Sequence, residues 1–183
     1  TGEFVIEDLI AEEDVVVTFS HSGYVKRIPL DTYRSQRRGG KGVTGMTTKE
    51  DDFVEQIFLT NTHAYLLLFT NRGRLYWIRV YEIPDAGRTA RGKAIVNFVQ
   101  LGAEEKITSA ISIPTFEETK GKETFLLMCT RNGTIKRTLL SEYANIRTTG
   151  INAIALDEGN VLVEVKHTDG KQQVIMTTKE GMA

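Results

Sequence analysis

One cysteine, three prolines and one tryptophan are all that a chain of 183 residues offers of these types. A lone thiol, Cys129, excludes an internal disulfide framework and a cysteine-built zinc site, and it fits a reducing cytoplasm. Long apolar runs are missing as well. Tyr65 to Phe69 is among the longest, far below what a membrane-spanning helix needs, so no membrane partner is expected. The chain opens Thr-Gly-Glu, with no initiator Met and no basic-then-apolar leader, which reads as a piece of something larger without a signal peptide. His21, His63 and His167 are dispersed without metal-ligand spacing. With 40% hydrophobic and 26% charged residues, the composition is that of a globular domain of ordinary size or of two small ones.

Excess charge of one sign is also lacking, since the formal net charge is −1. That average conceals a gradient. Residues 1–15 carry six acids (Glu3, Glu7, Asp8, Glu12, Glu13, Asp14) and no base, whereas residues 16–50 carry seven bases against two acids. An acidic lead-in, residues 1–13, thus precedes a basic lobe, and only the lobe needs to meet a polyanion.

What the sequence does have is internal repetition. Val15-Val-Val-Thr-Phe-Ser-His-Ser-Gly23, Tyr65-Leu-Leu-Leu-Phe-Thr-Asn-Arg-Gly73, Phe125-Leu-Leu-Met-Cys-Thr-Arg-Asn-Gly133 and Gln173-Val-Ile-Met-Thr-Thr-Lys-Glu-Gly181 align without gaps. Their closing glycines lie 50, 60 and 48 residues apart, the longer interval holding the polar insertion Pro114 to Lys122. Each complete unit contains four runs rich in β-branched and aromatic residues, separated by Gly, Asn and Asp turns. Such units predict four-stranded, propeller-like blades in an all-β fold. The repeats run at about 14–60, 63–113, 123–167 and 171–183, the last incomplete, within one domain over 14–183. Three blades and part of a fourth do not close a propeller of four to eight blades, so a truncated disc is expected.

The repeat columns weigh against catalysis. Cys129 shares a column with Phe19 and Phe69 and is expected in the core, and His21 shares one with the turn residues Asn71 and Arg131. Asp51-Asp52 reads as a solvated turn, not a metal pair. Arg38-Gly-Gly-Lys-Gly42 lacks the Gly-Lys-Ser/Thr ending of a nucleotide loop and any helix after it. No catalytic residue, metal or cofactor is therefore assigned to this chain. Polyphosphate chemistry is what remains. Gln36, Arg37, Arg38, Gly39, Gly40, Lys41 and Gly42 put three cations and three glycines in seven residues, letting backbone N–H groups and guanidiniums approach phosphate together. The same inter-strand segment carries Arg34 beside the heptad, Arg88, Arg91 and Lys93 in the second unit and Arg147 in the third. The strand before it carries Lys26 and Arg27, Arg74 and Arg79, and Lys136 and Arg137. Cations recurring at one level predict a basic rim suited to a bent duplex. Tyr76-Trp77 interrupts the basic pairs and reads as a packed aromatic patch rather than a base-stacking platform.

At these residues the sequence resembles the C-terminal domain family of the A subunit of bacterial DNA gyrase. Residues 36–42 look like the family's gyrase A box, and Gly23-Tyr-Val-Lys-Arg-Ile-Pro29, Gly45-Met46 and Phe69-Thr-Asn-Arg-Gly-Arg-Leu-Tyr76 resemble its first two blades, as do Tyr81-Glu-Ile-Pro84, Arg88, Gly92 and Asn97. The resemblance spans about residues 10–183. It implies a β-pinwheel, a six-bladed disc whose blades exchange strands, acting as a DNA-wrapping module that binds double-stranded DNA. It also implies attachment to the rest of the gyrase A subunit, partnership with the gyrase B subunit, localisation in a bacterial cytoplasm near the nucleoid, and use of ATP and Mg2+ elsewhere in the parent enzyme. The third unit departs from the pattern, with only Arg147 in a shortened segment. Two rivals are the matching domain of topoisomerase IV, whose box tends to be degenerate, and a protein-binding propeller scaffold.

Overall fold

The computed structural model describes residues 6–37, 52–87, 89–117 and 121–173; the side chains of 36 and 37 are outside that description. Eleven strands form its framework among the described residues: β1 Asp14–Ser20, β2 Tyr24–Pro29, β3 Val54–Asn61, β4 Tyr65–Thr70, β5 Arg74–Arg79, β6 Lys93–Ala94, β7 Ile107–Ile113, β8 Phe125–Thr130, β9 Ile135–Leu139, β10 Ile151–Asn152 and β11 Leu162–Thr168. They form three antiparallel sheets in the orders β3-β1-β2-β6, β10-β5-β4-β7 and β11-β8-β9. Residues group into two compact units, one of Thr1–Leu67, Trp77–Gly102 and Ser112–Thr115, the other of Leu68–Tyr76, Ala103–Ile111 and Phe116–Ala183.

The first strand of each of the first three repeats lies between two partners. β1 pairs with β2 (Val17 opposite Arg27) and with β3 (Val17 opposite Phe58), which leaves Val15 through Ser20 buried. β4 is buried from Leu66 through Thr70, as expected of a strand covered on both faces. β8 alternates between buried and half-buried positions. Cys129 is accordingly half-buried, a correction to its expected place in the core beside Phe19 and Phe69. Burial and the Glu164 carboxylate push its thiol pKa upward, favouring the protonated form.

Four runs per unit do not make one sheet, and here the residue-level expectation is corrected. The outer strand of the first sheet, β6, belongs to the second repeat: Tyr24 lies opposite Ala94 and Val25 opposite Lys93. The outer strand of the second sheet, β10, belongs to the third repeat, with Ile151 opposite Leu75 and Asn152 opposite Arg74. Strand exchange is what the pinwheel resemblance implies. Glycine makes it sterically possible. Gly92 has φ +88°, and a Cβ there would stand 2.5 Å from the Val25 carbonyl oxygen; Gly150, at φ +72°, would put one 2.7 Å from the Tyr76 ring. Just beyond each exchanged strand, Ile95 N–H donates to Gly23 O and Ala153 N–H to Gly73 O, both at 2.8 Å. The third sheet has three strands among the described residues, and β9 leaves Ile135, Lys136 and Arg137 exposed.

A helix, α1 (Leu30–Arg37), stands where a loop is expected between the second and third strands of the first unit. Pro29 presets the entry dihedral and Asp31 favours the first turn. Short 3-10 turns at Val80–Glu82 and Leu140–Tyr143 occupy the matching places in the other repeats. Gln36 and Arg37 are therefore the end of a helix, while Arg38, Gly39, Gly40, Lys41 and Gly42 lie outside the described residues. Asp52 is not a solvated turn residue either: it is 9% exposed and accepts hydrogen bonds from Ser22 N–H at 2.8 Å and Phe53 N–H at 3.0 Å. Burial raises its pKa, but these amides and the Ser20 and Ser22 hydroxyls outweigh that and hold the carboxyl below its ordinary value.

Candidate nucleic-acid interface

Strands β2, β5 and β9 carry the basic pairs, and their columns show what an exchanged strand does to a side chain. Lys26, Tyr76 and Lys136 occupy one column. Lys26 is 0% exposed and Tyr76 is 4% exposed, each lying beneath the segment that brings in the exchanged strand of its own sheet. Lys136, on a strand with no such cover among the described residues, is exposed. The rim expectation for Lys26 is thus corrected. Its Nζ donates to Ala90 O at 3.1 Å and Gly87 O at 3.4 Å, and burial pulls its pKa below the ordinary lysine value. A buried ammonium satisfied by backbone carbonyls cannot also hold a phosphate.

Arg79 is corrected for a different reason. Its Nη1 donates to His63 O at 2.7 Å, its Nη2 pairs with Glu7 of the acidic lead-in, and its Cζ lies 3.8 Å from the centre of the Tyr65 ring. His63 Nε2 bonds to Ile10 O at 2.9 Å, and the Thr62 hydroxyl donates to Ala11 O at 2.8 Å while accepting from Glu13 N–H. Lead-in residues 7–13 are thereby clamped to the start of the second repeat. Substituting Arg79 by Ala is expected to raise proteolytic cutting within residues 6–13 while leaving the salt dependence of duplex binding unchanged. A fall in the salt slope would return Arg79 to the DNA contacts.

The remaining cations differ in freedom. Arg27 is half-buried, with its main chain bonded to Pro84 O and Ala86 N–H and its Nε enclosed without a partner. Arg74 is half-buried and donates to Thr149 O at 2.6 Å. Arg88 lies outside the described residues. Arg34, on α1, and Lys93, Lys136, Arg137 and Arg147 are exposed. Among the described residues four guanidiniums lie over rings: Arg91 over Tyr24 at 3.8 Å, Arg79 over Tyr65 at 3.8 Å, Arg137 over Phe125 at 4.6 Å and, farther off, Arg74 over Tyr76 at 5.7 Å. Lys93 Nζ is 5.3 Å from the Phe98 ring centre. Stacking fixes a planar donor fork without using its in-plane N–H groups, leaving them for an anion. Sequence reasoning missed these aromatic seats. Phe125 could have been found from hairpin register, since it faces Leu139 two residues beyond Arg137; Tyr24 could not, because Arg91 reaches it only through strand exchange.

Tyr76 is packed, as expected, with its hydroxyl 3.4 Å from Glu105 Oε1, and Glu105 itself is buried and accepts from the Thr70 hydroxyl. Trp77 is half-buried with Nε1 enclosed and unpartnered. Glu105, an interior carboxylate serving two hydroxyls, carries no sequence signal that separates it from its exposed neighbour Glu104.

The family model described as "DNA gyrase C-terminal domain, beta-propeller" matches residues 14–61, 64–114 and 124–169. The chain belongs to the DNA gyrase C-terminal domain family. The DNA gyrase A subunit of Clostridium acetobutylicum is 53% identical over 97% of this chain and that of Escherichia coli 47% over 99%, the chain spanning 21% and 20% of those proteins. Among solved structures, the C-terminal domain of DNA topoisomerase IV aligns with a TM-score of 0.73 at 34% identity, covering 88% of this chain and 47% of that one. The DNA gyrase A C-terminal domain aligns at 0.60 and 23%, covering 85% and 48%, which supports the fold alone. Gyrase and topoisomerase IV share this domain. The identity of 43–53% to A-subunit sequences of gyrase is what distinguishes the chain from the topoisomerase IV alternative. No helix among the described residues is long and apolar enough to cross a membrane.

Proposed function

We propose that this gyrase C-terminal domain binds double-stranded DNA through phosphates and bends it, so that the parent ATP-dependent topoisomerase introduces negative supercoils. The observation that carries this reading is an intact Gln36–Gly42 heptad in a chain that belongs to the gyrase family. The contacts assigned to DNA are the heptad, Arg34, Arg88, Arg91, Lys93, Arg137 and Arg147, with Arg27, Arg74 and Lys136 as secondary candidates. The domain extends over residues 14–183 behind an acidic lead-in at 1–13. Strand cleavage belongs to the remainder of the A subunit, ATP hydrolysis to the B subunit. Mg2+ and ATP act in those parts, and the assembly works in the bacterial cytoplasm at the nucleoid.

Lysines and arginines that meet phosphates neutralise charge without reading base edges, so binding should be independent of sequence and steeply dependent on salt. Substituting Lys93 and Arg137 by Ala is expected to weaken duplex binding equally on unrelated sequences. The slope of log K against log salt should drop by about 0.9 for each phosphate that the protein no longer neutralises. A gel-shift series at several salt concentrations on two unrelated duplexes tests this. Weakening on one duplex and not the other would require direct base readout, and binding indifferent to salt would favour the protein-binding scaffold.

A further inference from the structure

Lys26 has the largest of the fully buried side chains among the described residues, and the mechanism above makes no use of it. Its ammonium is bonded to the carbonyls of Gly87 and Ala90, two points on the part of the second repeat that leads from Pro84 into the exchanged strand β6. The same segment is tied to β2 by its main chain. Arg27 N–H donates to Pro84 O at 3.3 Å, Ala86 N–H donates to Arg27 O at 3.0 Å, and Ala90 N–H closes a turn on Gly87 O at 3.0 Å. Arg91 follows directly. Its Cζ lies over the Tyr24 ring at 3.8 Å, its Nε is enclosed without a partner, and it makes no hydrogen bond or ion pair among the described residues.

We propose that Lys26 is a positioning residue for DNA binding: its buried ammonium pins the 84–92 segment so that Arg91 stays stacked on Tyr24 with its outer nitrogens available to a duplex phosphate. Tyr24 and Lys26 are two apart on one strand and on one face of it, so a single strand supplies both the seat for the guanidinium and the fastening for the loop that delivers it. A ring under the guanidinium fixes its plane, and the pin fixes the backbone from which it extends. Freed of the pin, Arg91 would spend binding energy on ordering itself before it met a phosphate. This inference rests on the DNA-binding reading and deepens it.

The test uses the complete A subunit in four forms: wild type, Lys26→Met, Arg91→Ala and the double variant. Lys26→Met keeps the length and apolar stem of the side chain and removes its donors and charge. Three readouts are taken: duplex affinity by anisotropy at several salt concentrations, amide hydrogen exchange at residues 84–92, and melting temperature. Lys26→Met is expected to speed exchange at Ala86 and Ala90 at least tenfold and to weaken duplex binding about three- to tenfold, as Arg91→Ala does. The double variant should bind no more weakly than Arg91→Ala alone, because the pin acts through the arginine. Multiplied losses in the double variant would show that Lys26 touches DNA itself and overturn the proposal. A lowered melting temperature with unchanged affinity would also overturn it, by showing a merely structural role. Should Lys26→Met not fold, Lys26→Gln, which retains a shorter donor, is measured in the same cycle. Absence of salt-dependent duplex binding by wild type would sink the DNA-binding reading instead, and in that event the exchange rates alone report whether Lys26 fastens the segment.

Discussion

Replacing Arg37, Arg38 and Lys41 together by Ala in the complete domain is expected to leave duplex affinity within about tenfold of the parent, a difference of about 1.4 kcal/mol, while abolishing DNA bending. The reason is a division of labour among cations. Arg91, Lys93, Arg137 and Arg147 remain to hold phosphates, so affinity survives in large part. Bending has a cost of its own, on the order of 1–6 kcal/mol for 40–90° over 20–30 bp, and every unoffset stretch of the arc springs straight. Three cations and three glycines within residues 36–42 are the densest such cluster in the sequence. α1 carries Gln36 and Arg37 at its end, so the heptad begins on a helix. Energy transfer between dyes on the two DNA ends should fall to the level of free DNA in the variant. The holoenzyme carrying it should lose negative supercoiling and keep ATP-dependent relaxation. Bending that persisted in the triple variant would reduce the heptad to a solvated loop.

Gly92→Ala should be among the most destabilising single-methyl changes in the molecule. Two penalties act at once. The φ of +88° is a conformation in which a side chain costs about 1–2 kcal/mol, and the added Cβ would meet Val25 O at 2.5 Å, Val25 C at 3.0 Å and Lys26 Cβ at 3.1 Å. Backbone and a buried strand cannot retreat as a flexible side chain would, so overpacking adds about 1–3 kcal/mol. The sum, about 2–5 kcal/mol, is a large part of the 5–15 kcal/mol that holds a typical domain. Gly159 is the internal control: its φ is +78°, and a Cβ there meets nothing within 4 Å. Urea unfolding of both variants separates the terms, with Gly159→Ala losing only the conformational part. Equal midpoints for the two would mean that the close approach of Gly92 to β2 does not carry the exchanged strand.

Much of this architecture was legible because repetition multiplies weak signals. A single run such as Tyr65-Leu-Leu-Leu-Phe69 is compatible with a buried helix or strand, but four aligned copies ending in glycine leave one reading. Ownership of the outer strands was not legible. β6 and β10 are two residues long and have no β-propensity that would attach them to one sheet or another. What selects their partners is a glycine whose missing Cβ admits another backbone, a three-dimensional fit with no periodicity. The site divides along the same line. Arg34, Lys93, Arg137 and Arg147 are exposed where local pattern placed them, whereas Lys26 and Arg79 are claimed by segments remote in sequence. Lys26 and Lys136 share a column and a residue type, and among the described residues the cover above them differs. Helix α1 escaped because its eight residues are too few for an apolar period to show, and its polar stretch reads as an inter-strand loop.

Strand exchange also sets a timetable for making the protein. The β1–β2 hairpin can close as soon as residue 29 is free of the ribosome, but Tyr24 does not meet Ala94 until 70 more residues have followed it. At about 5–20 residues per second, the first sheet waits some 4–14 s with β2 as an open edge. Leu75 meets Ile151 only after 76 further residues, so the first and second sheets are each completed by translation of the repeat that follows. An unpaired edge in that interval is a template for the wrong strand, including one from a neighbouring nascent chain. Glycine at the entry to each exchanged strand then acts as a proofreading shape, since any segment that brings a Cβ to the same place is rejected by the backbone of β2 or β5. Completion is thereby handed down the chain in order, and a ribosome stalled within one repeat leaves the sheet before it unfinished.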